Sequence, residues 1–159
     1  MTIHTETDSN TQALLAAVND VFEQMIGLAP NSASVSAAPE LSGDIVGALG
    51  FCGSRSGLCV ITANDDLARV MCASLLMMEP EELTDPADLS DGFGEVVNMV
   101  LGGFKQHWVE QGNTMDMSVP SVSFGHPVTV AAARKQCDLF CLSLAFDAGN
   151  LGVTLVFNN

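Results

Sequence analysis

Residues 88–108, which read DLSDGFGEVVNMVLGGFKQHW, constrain the fold more than any other part of the sequence. Asp88 and Asp91 lie three residues apart, as in a capping box, and predict that a helix begins near Leu89 or Ser90. At about 100° per residue, one broad apolar face spans about 140° to 280° from Asp91. This face contains Phe93, Val96, Val97, Val100, Leu101, Phe104 and Trp108. A face of that width is suited to packing on a sheet.

The rest of the chain combines further helices with short β-prone runs. The patterns predict a helix at 11–26, a loop or weak edge strand at 29–42, a hairpin from residue 43, a helix ending before residue 80, an acidic connection at 79–90, and several later strands ending in a long hairpin that turns at 147–150. We therefore predict an α/β protein of the α+β type, with three helices packed on an antiparallel or mixed sheet of about six strands. We expect a disordered tail at residues 1–10 and a single domain at residues 11–159.

The charge balance argues against two classes of partner. Five Lys and Arg residues against nineteen Asp and Glu residues give a formal net charge of −14. Such a surface repels nucleic-acid phosphates and anionic lipid head groups. The apolar runs are far shorter than the roughly 20 residues of a membrane-spanning helix, and the N-terminus lacks the features of a secretory signal. The five cysteines include no Cys-x-x-Cys pair and are interpreted as reduced. We expect a soluble, cytoplasmic protein.

Opposite its apolar face, the helix at 88–108 carries a row of polar and small residues. Within about 40° of Asp91 on the helical projection lie Glu95, Asn98, Gly102 and Lys105. Every amphipathic helix has a polar face, so a purely solvated surface remains one interpretation. Asn, however, is a mediocre helix former, and Gly94 and Gly102 each cost up to about 1 kcal/mol relative to Ala. Small residues beside Glu95 and Asn98 leave room for another surface to come close.

The pair of Glu95 and Asn98 has a specific chemical capacity. An amide offers both a donor and an acceptor, so Asn98 can hold a water molecule in a set orientation without taking its proton. This suits a reaction whose electrophile is activated elsewhere. Phosphoryl transfer to water is such a reaction, because its catalysis consists largely of positioning and charge stabilisation. The neighbouring carboxylate of Glu95 can bind a cation on a partner.

The spacing Asp91-x3-Glu95-x2-Asn98 resembles the signature of the CheC/CheX/FliY family of chemotaxis phosphatases. The preceding LSGDIVGALGFCGSRSGLCVITAN and the later MSVPSVSFG are also similar to CheX-like domains, so the resemblance spans most of residues 11–158. It implies removal of the phosphoryl group from the aspartate of a CheY-type response regulator. Asn98 would orient the attacking water, Glu95 would pair with the regulator's active-site lysine, and Asp91 would have a supporting role. The Mg²⁺ would come with the regulator, and the phosphatase would need no metal or cofactor of its own.

The N-terminal helix indicates which branch of the family the chain resembles. CheC-like members carry a second motif on that helix, whereas this chain has Asn19 but Ala16 in place of the glutamate. One site is therefore expected. The resemblance then favours a CheX-like protein and implies a homodimer joined through sheet edges.

Two alternatives to a phosphatase remain open from the sequence. The first is a non-catalytic binding module that docks on a receiver domain or a signalling assembly through the same face. The second is a purely structural dimer without a phosphoprotein partner. Substitution of Asn98 separates the first from a phosphatase, because orienting a water is a transition-state task that adds little to binding. Indifference to substitution at both Glu95 and Asn98 would indicate the second.

Overall fold

The computed structural model describes residues 1–129 and 136–159, in which eight strands form one sheet and three α-helices pack against it. The strands are β1 (Thr2–Ile3), β2 (Ser32–Val35), β3 (Ser42–Gly53), β4 (Gly57–Ala63), β5 (Met115–Met117), β6 (Ser121–Thr129), β7 (Cys137–Phe146) and β8 (Gly149–Asn158). The helices are α1 (Ser9–Asp20), α2 (Asp65–Leu76) and α3 (Pro86–Glu110). A π-helical segment, Val21–Ile26, continues α1, and a 3₁₀ turn, Pro80–Glu82, precedes α3.

The sheet is mixed and runs in the order β1-β7-β8-β4-β3-β5. In addition, β2 pairs with β7 and β6 pairs with β3. β1 is parallel to β7, whereas the hairpin strands are antiparallel. The predicted class is confirmed, but the predicted number of about six strands is too low. β1 has two residues and β2 has four, mostly exposed, so neither buries enough apolar surface to give a period-two pattern.

Two antiparallel hairpins form the centre of the sheet, as the sequence predicts. β3 and β4 pair from Ile45 opposite Ala63 to Phe51 opposite Gly57. β7 and β8 pair until Phe146 lies opposite Gly149, so the turn lies within the predicted residues 147–150. At the end of β3, Gly53 has φ +150°, and a Cβ there would collide with the carbonyl oxygen of Thr114. Glycine therefore allows the segment before β5 to approach the hairpin.

The helix predicted at 11–26 is confirmed as α1 with its π-helical continuation. Asp8 caps α1, because its carboxylate accepts hydrogen bonds from the backbone N–H groups of Asn10 and Thr11. Gly27, with φ +76°, ends the continuation in the left-handed region. The apolar spacing in the sequence therefore located this element to within about two residues at its start.

The first residues differ from the expected disordered tail at 1–10. β1 pairs with β7, and the ring of His4 stacks on Phe140 with centroids 4.4 Å apart. Nδ1 of His4 lies 3.0 Å from the carboxylate of Asp8, and Nε2 lies 3.4 Å from that of Asp138. Backbone pairing and these polar contacts hold the segment in place, and neither leaves an apolar period in the sequence.

α3 begins earlier than predicted. It starts at Pro86 and is capped by Asp85, which accepts a hydrogen bond from the backbone N–H of Ala87. The capping-box interpretation of Asp88 and Asp91 is therefore wrong. Proline fits the first position of a helix because its N–H would have no partner there and its φ is already helical. The additional turn places Asp91 inside the helix instead of at its start.

The apolar face predicted for α3 is confirmed and forms the centre of the core. All seven predicted residues are buried, and Phe93, Val97 and Phe104 are inaccessible to solvent. Under this face lies Gly47 of β3, where a Cβ would be 2.6 Å from Cγ2 of Val97. The absence of a side chain at Gly47 lets α3 rest directly on the sheet, which fixes the height and rotation of its exposed face.

Four of the five cysteines are buried. Cys52 is exposed. Burial raises the pKa of Cys59 and of Cys72 to about 12, so both thiols stay protonated at neutral pH. Cys72 also donates to the carbonyl oxygen of Leu89 at 3.6 Å, which ties α2 to α3. These buried thiols act as small apolar side chains.

Candidate functional site

α3 presents Asp91, Glu95 and Asn98 together on its outward face. Asp91 and Glu95 are exposed, and Asn98 is partly exposed. Within the part of the chain that the structure describes, the side chains of Glu95 and Asn98 form no hydrogen bond or ion pair. Their carboxylate and amide are therefore free to bind an external group. We call the residues Asp91, Glu95, Asn98, Gly102 and Lys105 the α3 stripe.

The two glycines predicted to leave space for another surface have different surroundings. A Cβ at Gly102 would meet no heavy atom within 4 Å, so the helix backbone is open to an approaching partner there. Gly94 is buried, and a Cβ there would lie 3.3 Å from Cγ of Pro120 and 3.5 Å from Cγ2 of Val122. The small size of Gly94 therefore serves a contact inside the molecule, while the space at Gly102 is open.

The segment between β5 and β6 borders the α3 stripe on the side of Gly94. Val119 in this segment is 85% exposed, and Phe124 at the edge of the sheet is 45% exposed. Sequence reasoning missed this border, because nothing in the spacing of MSVPSVSFG predicts that Pro120 packs under α3. The polar stripe thus has an apolar neighbour.

The stripe lies on an exposed helix surface. A cleft of about 280 Å³ separates α1 from α3 and is lined in part by Ala16, Asp20, Gly103 and Glu110, without a contribution from Glu95 or Asn98. The exposed surface of the α3 stripe therefore suits a macromolecular partner better than a small molecule, because a small molecule needs a concave site that buries most of its surface.

The chain offers several acidic groups near α3 and few cations. Arg55 contacts Asp138 at 2.9 Å, and Arg69 contacts Asp65 at 2.8 Å. For Asp138, burial opposes ionisation, but the hydrogen bonds and charges of Arg55 and His4 prevail and lower its pKa. Lys105 on the α3 stripe forms no ion pair within the described residues. The electrostatic character of the site is therefore negative at Asp91 and Glu95 and positive at Lys105.

Residues 1–129 and 136–159 contain no group of three or more His, Cys, Asp or Glu side chains arranged to hold a metal ion. Among the helices of these ranges, none combines the length and the apolar character needed to cross a membrane.

α1 packs against α3 through Ala17, which is buried. Asn19 of α1 is partly exposed, and Ala16 is exposed. The Cβ of Ala17 would lie 3.0 Å from a Cβ at Gly103, so the two helices pack closely there. Among the helices of the described ranges, α3 exposes Glu95 with Asn98, whereas α1 has Asn19 and Ala16 at the matching positions.

A comparison with protein families gives one match that covers most of the chain. The model described as chemotaxis phosphatase CheX matches residues 45–144. These residues contain most of β3 and the whole of β4, α2 and α3. No protein with a curated description matches the chain.

Solved structures share the fold over almost the full length. CheX from Vibrio vulnificus has 25% identity and a TM-score of 0.78, covering 98% of this chain and 100% of its own. CheX from Desulfovibrio desulfuricans has 22% identity and a TM-score of 0.81, covering 95% of this chain and 100% of its own. The complex of CheX, CheY, BeF3 and Mg²⁺ from Borrelia burgdorferi matches with 16% identity and a TM-score of 0.76, covering 95% of this chain and 99% of that one. The resemblance and fold predicted from the sequence are confirmed.

Proposed function

This chain belongs to the CheX family of chemotaxis phosphatases, and from that premise we propose that it dephosphorylates the phospho-aspartate of a CheY-type response regulator. The observation that carries the proposal is the exposed pair of Glu95 and Asn98 on α3, which has no partner among the described residues. The Borrelia burgdorferi relative, which is solved in complex with CheY, BeF3 and Mg²⁺, supports a CheY-type partner.

In the proposed reaction, Asn98 holds the attacking water. Its amide accepts a hydrogen bond from the water and donates one to it or to the phosphoryl group. The water oxygen forms a bond to phosphorus as the bond between phosphorus and the aspartyl oxygen breaks. The leaving carboxylate takes the electron pair, and inorganic phosphate carries away the water's oxygen together with its two protons. The contribution of Asn98 is positional, because an acyl phosphate is already an activated electrophile.

Glu95 and Asp91 have roles in docking. Glu95 would pair with the lysine of the regulator's active site and so align Asn98 with the phosphoryl group. An exposed ion pair contributes roughly 0–1 kcal/mol, so we expect alignment to matter more than the strength of this contact. Asp91 lies one turn before Glu95 and supports the same cation at longer range. Gly102 permits the regulator to approach the helix backbone.

The regulator would supply the metal ion, and the phosphatase would contribute only side chains. The Mg²⁺ on the regulator neutralises charge on the phosphoryl oxygens. Because only α3 carries both Glu and Asn, we propose a single site per chain. We also propose a cytoplasmic homodimer joined through the sheet edges. Sedimentation of the full chain tests whether the protein is a dimer.

The test is phosphate release from a phosphorylated regulator of the same organism, with the phosphatase in catalytic amounts. Wild type is expected to accelerate release, and Asn98→Ala is expected to abolish the acceleration while still binding the regulator. Binding is measured separately with the regulator bearing BeF3 and Mg²⁺. If wild type binds but never accelerates release, the chain is a docking module and the phosphatase proposal is wrong.

A further inference from the structure

Lys105 stands out because, in a strongly acidic chain, it forms no ion pair with any residue of 1–129 or 136–159. Of the Lys and Arg residues that the structure describes, Arg55 and Arg69 each contact a carboxylate. Lys105 has no carboxylate within ion-pair distance in the described ranges. The residues three and four positions away on α3 are Leu101, Gly102, Trp108 and Val109, none of which is acidic. Because the chain has nineteen acidic residues, we consider the unpaired ammonium group of Lys105 on α3 a candidate for contact with a partner.

The position of Lys105 relates it to the proposed active site. It follows Asn98 by seven residues, or about two helical turns, and follows Glu95 by ten, or about 15 Å along the axis. Between Asn98 and Lys105 the stripe contains only Gly102, where a Cβ would meet nothing within 4 Å. The stripe therefore has a carboxylate at one end, bare backbone near the middle and an ammonium group at the other end.

Opposite charges at the two ends of the α3 stripe favour one orientation of a bound partner over the reverse orientation. A partner that places a cation at Glu95 and lies over Gly102 presents a second region of its surface to Lys105. In that region a carboxylate is attracted, whereas a reversed partner would bring like charges together at both ends. The stripe thus distinguishes two orientations of a partner that the Glu95 contact alone would not distinguish.

We propose that Lys105 is a positioning residue that pairs with a carboxylate on the response regulator, outside the regulator's phosphorylation site, and so sets the regulator's affinity and orientation on α3. The inference rests on the proposed function, because it requires the regulator to dock on the α3 stripe. A free anion is a poorer occupant. The net charge of −14 repels it, whereas a docked protein holds its carboxylate in place through its other contacts.

The experiment compares Lys105→Gln, Lys105→Glu and Lys105→Arg with wild type, using the full chain and a regulator of the same organism. Arg69→Gln is the matched control, because it also removes one positive charge but from a cation already paired with Asp65. Two quantities are measured for each variant at low and at high salt. One is affinity for the regulator bearing BeF3 and Mg²⁺, and the other is KM and kcat for phosphate release.

Lys105→Gln is expected to weaken affinity and raise KM by about three- to fivefold at low salt, the range of an exposed ion pair. Lys105→Glu is expected to exceed this effect, and Lys105→Arg to stay near wild type. In every Lys105 variant kcat stays near the wild-type value, because Lys105 does not touch the reacting atoms. Removing the pair also weakens the salt dependence of binding. Arg69→Gln should leave affinity unchanged at low salt.

Distinct outcomes overturn the inference and the proposed function. Wild-type affinity and KM in both Lys105→Gln and Lys105→Glu would show that Lys105 contacts no carboxylate. An equal loss in Arg69→Gln would show an effect of net charge alone. A fall in kcat without a change in KM would place Lys105 in the chemical step and contradict a positioning role. If wild type binds the regulator without turnover, only the phosphatase proposal fails, and the affinities still decide the role of Lys105. If wild type neither binds nor turns over, both are wrong.

Discussion

α1 and α3 pack on one another beside the same sheet, yet only α3 exposes the complete set of motif residues. At matching spacing, α3 has Asp91, Glu95 and Asn98, and α1 has Gln12, Ala16 and Asn19. Both helices bury an apolar side and expose the residues at these positions, wholly or in part. The fold therefore accepts Ala16 where α3 has Glu95. Because Ala is the best helix former, packing and propensity alone give no reason for Glu at this position.

The remaining polar residues of α1 also differ in what they bind. The side-chain amide of Gln12 donates to the carbonyl oxygen of Glu6 at 2.7 Å, so it serves the chain's own N-terminal segment. Glu95 and Asn98 have no such internal use among the described residues. A polar helix face is therefore a candidate site when its side chains suit a reaction and also have no hydrogen-bond or ion-pair partner inside the molecule.

The largest expected effect comes from moving the motif from α3 to α1. The double variant Ala16→Glu with Asn98→Ala leaves Glu and Asn at motif spacing on α1 only. Phosphate release is expected to stay about a hundredfold below wild type, because the loss of a positioned catalytic group is worth roughly 2.7 kcal/mol. The carboxylate introduced by Ala16→Glu would stand by the cleft lined by Asp20 and Glu110, whose charges disfavour it. Recovery to near wild-type turnover would mean that the two helices are interchangeable.

The second test concerns how each helix is supported. α3 rests on the sheet at Gly47, where a Cβ would lie 2.6 Å from Val97. Gly47→Ala is expected to reduce the free energy of unfolding by about 1–3 kcal/mol through overpacking. Denaturant titration measures the change. Because Val97 is the clashing side chain, Gly47→Ala combined with Val97→Ala should lose less than the sum of the two single variants. Strict additivity would contradict the direct contact.

A third test uses pH to probe the support of α3 by α2. α1 contains no cysteine, whereas Cys72 of α2 lies under α3. The pKa of this thiol is about 12 in the fold, against 9.0 for an unperturbed thiol. Above pH 9 the unfolded chain therefore loses this proton first, and stability falls by up to about 1.4 kcal/mol per pH unit for each such thiol. Cys59 behaves alike. Cys72→Ala should flatten the fall in the free energy of unfolding above pH 9, and an unchanged slope would contradict this assignment.

The smallest effect comes from the two adjacent glycines of α3. Gly102 faces open space, so Gly102→Ala is expected to raise the free energy of unfolding by up to about 1 kcal/mol. Gly103→Ala gains the same helix propensity but loses part of it against Ala17, only 3.0 Å away. Thermal unfolding of the pair measures the difference. If Gly103→Ala were the more stabilising substitution, the close contact between α1 and α3 would be wrong.

The sequence predicted most clearly the elements that bury apolar periods. The apolar face of α3 and the two central hairpins follow directly from spacing, and the structure confirms them. β1 and the ordered His4 depend on backbone pairing and single polar contacts, which leave no periodic signal. β2 lies in residues 29–42, where the sequence left a loop and a weak edge strand as alternatives, and the structure shows the strand. The start of α3 differs from the predicted one, because Asp85 and Pro86 form the cap and first position of the helix. The spacing of Asp88 and Asp91 resembles a cap but lies inside the helix.

Part of the candidate site could be predicted from the sequence, and part could not. Helical spacing alone predicted that Asp91, Glu95 and Asn98 share an exposed face, and the structure places them so. The surroundings of Gly94 were not predictable, because its contact with Pro120 joins residues 26 positions apart whose proximity depends on the sheet. Helix geometry is local, whereas the borders of a site are set by tertiary packing. The catalytic roles of Glu95 and Asn98 remain predictions.

A comparison of two asparagines separates a catalytic role of α3 from a general effect of an exposed helix surface. Asn98→Ala and Asn19→Ala remove the same side chain from matching positions of α3 and α1, so each controls for the other. Phosphate release from the phosphorylated regulator is measured with each variant in catalytic amounts, after circular dichroism confirms folding. We expect Asn98→Ala to lose about a hundredfold or more in turnover and Asn19→Ala to stay within about twofold of wild type. Equal turnover in the two variants would contradict the proposed catalytic role of Asn98.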